Sequence, residues 1–80
     1  MSPALNEHTL ILRGEHITLD ALLKAAGWAG SGGAAKQLIQ AGQVRVDGAV
    51  ERRRGAKLRA GQRIEMAGQA VVLQPAAAAT

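Results

Sequence analysis

The stretch Ala35-Lys36-Gln37-Leu38-Ile39-Gln40-Ala41-Gly42-Gln43-Val44-Arg45-Val46-Asp47-Gly48 changes its hydrophobic period in mid-course. Up to Ala41, the apolar residues Ala35, Leu38 and Ile39 fall at i, i+3 and i+4, one face of a helix, while Lys36, Gln37 and Gln40 point elsewhere. Gly42 is the residue that stops such a helix. From Gln43 to Val46, polar and apolar residues alternate, the period of a strand. Asp47-Gly48 is a strong two-residue hairpin turn, with Ala49-Val50-Glu51 returning. A helix followed by an antiparallel hairpin points to an α+β fold.

Upstream, Leu19, Leu22, Leu23 and Ala26 form the face of another helix. Ile17 is placed to staple it and Thr18 to cap it, and Asp20 suits the dipole of its first turn. Gly27 ends that helix, and Trp28 is positioned to cover Leu23. Gly30-Ser31-Gly32-Gly33 reads as a flexible connector to the second helix, expected over 33–41. Thr9-Leu10-Ile11-Leu12 reads as a strand after a loose lead-in over 1–8, with a turn over 14–16. Downstream, Arg52-Arg53-Arg54-Gly55 is a basic loop and Lys57-Leu58-Arg59 a short extended piece. Arg63-Ile64-Glu65-Met66 alternates, Gly68-Gln69 turns, and Val71-Val72-Leu73 is a buried strand. A frayed tail is expected over 75–80, beginning at Pro75. The predicted architecture is a two-helix hairpin packed on a small, mostly antiparallel, curled sheet, one domain over 1–80 with its core motif at about 17–66.

Composition narrows function by exclusion. At 80 residues the chain buries only roughly 60% of its unfolded area, which leaves little room for a deep dry cleft. It has no cysteine, hence no disulfide framework, thiolate zinc site or thiol nucleophile, and this fits a reducing cytoplasm. No apolar run approaches the ~18 residues that span a bilayer, and the first six residues lack the pattern of a secretory signal. His8 and His16 have no HxxH or carboxylate companion and read as exposed histidines. No Ser-His-Asp spacing is recognisable. These readings predict no enzyme, catalytic residue, cofactor, metal or small-molecule substrate.

Charge is more informative. Ten Lys/Arg against six Asp/Glu give +4, which favours a polyanionic partner. Arg45, Arg52, Arg53, Arg54 and Lys57 lie within thirteen positions around one hairpin, and Lys36 sits on the preceding helix. Such a loop presents cations to phosphates, or is simply a solvated charged loop. Gly30–Gly33 before a helix is either a plain connector or a phosphate contact; without a Gly-Lys-Ser/Thr ending it is not a nucleotide-hydrolysis loop. Trp28, the only aromatic, reads as core rather than as a base-stacking platform.

From Ile17 to Met66 the chain resembles the αL RNA-binding domain named after small-subunit ribosomal protein four, in particular its short stand-alone bacterial members. The resemblance rests on Leu19-Asp20-Ala21-Leu22-Leu23, Ala35-Lys36-Gln37-Leu38-Ile39, Gly42-Gln43-Val44-Arg45-Val46-Asp47-Gly48 and Gly61-Gln62-Arg63-Ile64. It implies a second helix that starts at the RNA beside the hairpin, with Asp20 holding the helix junction. In the family the second helix often opens with Ser-Arg and a basic residue often precedes Leu-Asp; here these positions are Ser31-Gly32 and Thr18. More of the load then falls on other cations, and the expected RNA-binding set is Ser31, Lys36, Gln37, Arg45, Arg52, Arg53, Arg54 and Lys57. The expected partner is structured RNA such as ribosomal RNA or tRNA, bound by a cytoplasmic monomer without a membrane. Two other classes stand beside this one. A helix-turn-helix DNA binder would have few polar readers on its second helix; an assembly module would use the basic loop against an acidic protein.

Overall fold

The computed structural model describes residues 6–76. Its elements are β1 (Asn6–Leu12), β2 (Ile17–Thr18), α1 (Leu19–Ala25), α2 (Gly32–Gln40), β3 (Arg45–Val46), β4 (Ala49–Val50), β5 (Lys57–Leu58), β6 (Arg63–Met66) and β7 (Gln69–Pro75). Five strands form one sheet in the order β1-β7-β6-β3-β4, and β2 pairs with β5 in a second, two-stranded ladder. Only β1 and β7 run parallel. The expected α+β architecture is therefore present: a helical pair on a mostly antiparallel sheet.

The helices cover one face of the sheet. On β6, Ile64 and Met66 turn inward while Arg63 and Glu65 turn out, the alternation of a half-solvated antiparallel strand. Leu19, Leu22, Leu23, Ala35, Ile39, Val44, Ile64, Val71 and Leu73 are all buried in a single cluster. Trp28 packs against it only partly buried, so aliphatic side chains fill the centre. On the open face, Arg63 reaches Glu65 of β6 at 2.7 Å and Glu7 of β1 at 3.2 Å. Ala70 of β7 lies in register between those two carboxylates and is buried. A larger residue there would displace the bridge.

Both helices end in the same way. The Trp28 N–H donates to the Leu23 carbonyl (2.9 Å) and the Gly27 N–H to Lys24 (3.1 Å); Gln43 donates to Leu38 (3.2 Å) and Gly42 to Ile39 (3.0 Å). These are Schellman closures, and each places its glycine at positive φ, +79° and +78°. The Asp47–Gly48 hairpin forms as expected, with positive φ at both turn residues.

Several expectations need correction. The lead-in is not loose throughout: Asn6–His8 belong to β1, held by parallel pairing to β7 although their side chains carry no strand-like alternation. Pro75 ends β7 opposite Leu12 rather than opening a tail, a terminal position where its missing N–H is tolerated. Residues 1–5 and 77–80 lie outside the described residues. Gly32 and Gly33 are the first turn of α2, not connector, because the Ser31 hydroxyl accepts from the Ala34 N–H (3.1 Å) and caps the helix one residue earlier than expected. Thr18 stands at the N-cap of α1 but makes no cap bond; its hydroxyl donates to Asp20 (2.7 Å). Ile17, expected as a staple, also pairs with Leu58 in the small ladder, while it packs against the cluster that holds Leu22 of α1. The last turn sits at Ala67–Gly68, one residue before the expected Gly68-Gln69, with Ala67 itself at φ +52°.

Candidate nucleic-acid interface

Charge is segregated along the chain. Residues 31–59 carry seven Lys/Arg and two acids; the remainder carries three and four. Folding sharpens the contrast. Arg63, outside that segment, is consumed by Glu7 and Glu65. Inside it, Asp47 is turned onto the neighbouring strand β6, accepting from the Arg63 N–H (3.0 Å) and from Gln62 just before it (3.0 Å).

The basic loop is tied down by its backbone. The first N–H groups of a helix have no partner four residues back. In α1 two of them are taken by loop carbonyls: Leu19 donates to Ala56 (2.9 Å) and Asp20 to Arg54 (3.1 Å). The Ala56 N–H donates to the Arg53 carbonyl (3.1 Å) and closes the bend. Next to it, the pairing of Lys57–Leu58 with Ile17–Thr18 fixes the outgoing chain. The incoming chain is fixed where the Glu51 N–H donates to Val44 (3.0 Å). The loop backbone is thus held without help from its guanidinium groups.

The expected site residues fall at three places. Arg52, Arg53 and Arg54 are exposed on the loop, with Lys57 exposed just after it. Arg53 is held by Glu51, its Nε at 3.0 Å from the carboxylate, which also accepts the Arg53 N–H. Arg52 lies over the end of α2: a Cβ on Gly42 would stand 2.8 Å from its guanidinium nitrogen. Lys36 and Gln37 are exposed midway along α2. Ser31 sits at the other end of α2, a helix about 14 Å long for nine residues at ~1.5 Å each. The loop therefore meets the exit of α2 rather than its entrance, and α2 itself connects the two. Arg45 stands apart from these: its cross-strand neighbours Glu65 and Val50 put it on the open face of the sheet, opposite the helices. Sequence reading missed Glu51 and Gly42. The acid two residues ahead of Arg53 was a visible signal; the contact between Gly42 and Arg52, ten positions apart, was not.

Three carboxyls in and around this region are held below their ordinary range. For Asp20 the hydrogen bond from Thr18 is the main cause, helped by the Ala21 N–H and the nearby Arg54 charge. For Asp47 it is the Arg63 N–H and then Gln62; for Glu51 it is the Arg53 side chain and N–H. Because the folded values are depressed, this stabilisation is present above the unfolded values near pH 4 and is lost as pH falls through the folded ones. Circular-dichroism melts from pH 6 to pH 2 should therefore show a level Tm down to about pH 4 and a decline below it. A Tm that rises on acidification would contradict these contacts.

Among the described residues no group of three or more His, Asp or Glu side chains is placed to hold a metal, and no helix is long and apolar enough to cross a membrane.

The chain is 52% identical over 56 residues to "Putative RNA-binding protein YbcJ" of Escherichia coli (strain K12), covering 70% of this chain and 80% of that one. The same figures hold for "Uncharacterized protein YbcJ" of Shigella flexneri. The solution structure of YbcJ from E. coli, described as revealing an αL motif involved in RNA-binding, matches with a TM-score of 0.62 at 43% identity, over 92% of this chain and 91% of that chain. The S4 domain pattern matches residues 10–74, from β1 through β7, and the chain therefore belongs to the S4 domain family.

Proposed function

We propose that this chain is a non-enzymatic RNA-binding module. Its ligand is a structured RNA, such as ribosomal or transfer RNA, and it works as a cytoplasmic monomer. The observation that carries the reading is the surplus of cations over 31–59, where Lys36, Arg52, Arg54 and Lys57 are exposed and have no side-chain ion pair among the described residues. Membership of the S4 domain family and the names of the relatives support it. The residues that meet RNA are Ser31, Lys36 and Gln37 on α2 and Arg52, Arg53, Arg54 and Lys57 on the loop; Arg45, on the open face of the sheet, meets it only where the RNA passes the β3–β4 edge. Trp28, the only Trp, Phe or Tyr, is partly buried against the core and stands outside the basic segment. Recognition then rests on shape, phosphates and 2′-hydroxyls, the terms by which folded RNA is read.

Salt dependence tests this. Three to five phosphate contacts give a log–log slope of roughly −2 to −3.5. Affinity for a fluorescent RNA hairpin should fall about 20- to 130-fold between 50 and 200 mM salt, followed by anisotropy. A slope near zero, or tighter binding to duplex DNA than to the hairpin, would overturn the proposal.

A further inference from the structure

α1 and α2 end in matched Schellman closures, yet their glycines differ in one respect. Gly27 and Gly42 share the same left-handed backbone, +79° and +78°. A Cβ on Gly27 would meet nothing within 4 Å. A Cβ on Gly42 would run into Arg52, 2.8 Å from Nη2, 3.2 Å from Cζ and 3.3 Å from Nε. Three guanidinium atoms at that range mean that the group lies against the glycine itself. The end of α2 suits a cation, since the carbonyl end of a helix carries partial negative charge. Among the described residues Arg52 makes no side-chain hydrogen bond or ion pair, unlike Arg53, so its donors stay available. A phosphate recognised by a planar donor fork needs that fork held in one orientation.

We propose that Gly42 is a positioning residue for RNA binding: its bare backbone is the seat that aims the Arg52 guanidinium at an RNA phosphate. This rests on the reading that the basic loop meets RNA. A methyl at position 42 would cost little in packing, because the atoms it meets are the free end of a flexible side chain. It would instead push that end off its seat. Gly27 supplies the control: Ala there imposes the same backbone strain and displaces nothing.

The test is a double-mutant cycle with the full chain, read by anisotropy on an RNA hairpin and by thermal melts. Arg52→Ala should weaken binding at least about tenfold, the worth of one charge-assisted contact. Gly42→Ala should weaken it at least about threefold when Arg52 is present, and by less than about twofold when Arg52 is already Ala. Gly27→Ala should lower Tm as much as Gly42→Ala does and bind RNA like the parent. If Gly42→Ala fails to fold, Gly42→Asn keeps the Cβ while tolerating the left-handed backbone and serves in its place. Equal losses with and without Arg52, or unchanged affinity in the Gly42 variant, would overturn the positioning role. An Arg52→Ala variant that binds RNA normally would instead overturn the loop contact beneath it.

Discussion

Replacing Arg52, Arg53 and Arg54 together with Glu is expected to weaken binding to an RNA hairpin by more than about a hundredfold at 50 mM salt, with the domain still folded. The change removes six units of charge and takes the chain from +4 to −2. Each phosphate that is no longer neutralised should also flatten the salt dependence by about 0.7 of a unit, so most of the slope goes with the loop. The fold should survive because backbone atoms hold the bend. The Arg54 and Ala56 carbonyls accept from α1, and the Glu51 N–H donates to Val44 whatever side chains follow. Leu58, buried next to the loop, anchors it further. Loss of the Glu51–Arg53 pair costs little, since exposed ion pairs contribute little to stability. Anisotropy titrations paired with melts decide the matter. Retained affinity would contradict the RNA reading, and simultaneous unfolding would contradict the claim that the backbone carries the loop.

The largest effect on stability is expected from Ile39→Ala. Ile39 is fully buried on α2, in a cluster that joins both helices to β6 and β7. Truncation removes apolar packing and leaves a cavity that a close-packed interior closes only in part, about 3 kcal/mol in such sites. A domain of this size has only about 4–12 kcal/mol in hand. The loss should lower Tm by roughly 12–24 °C. Leu38, beside it but only partly buried, should cost markedly less when changed to Ala. Similar effects at the two positions would mean that α2 is not packed as described. Because α2 also carries Ser31 at one end and the Arg52 seat at the other, the weakened Ile39 variant should lose RNA affinity only at temperatures where it begins to unfold.

Most of the fold was legible because its signals are local. Leu19, Leu22, Leu23 and Ala26 announce α1 by spacing alone, and Gly27 and Gly42 mark where the helices stop. Asp47-Gly48 fixes the register of its hairpin. What escaped depends on distant partners. Asn6–His8 form a strand only because Gln69–Val71 lie alongside, and nothing in Asn-Glu-His signals that pairing. Thr18 looked like a cap, but the helix start had already been satisfied from the loop more than thirty residues away. The basic residues were visible as a run, and the run did not show that Arg53 is held by Glu51 while Arg52 rests on Gly42. Arg45 belonged to the same cluster in sequence and faces the other side of the sheet, since alternate strand residues point to opposite faces.

The most direct test of the account is amide chemical-shift mapping of the labelled domain titrated with an RNA hairpin. Perturbations should gather at 31–37 on α2 and at 45–57 through the hairpin and loop, and fade as salt is raised. Shifts concentrated on β1 and β7, with the loop and α2 silent, would contradict it.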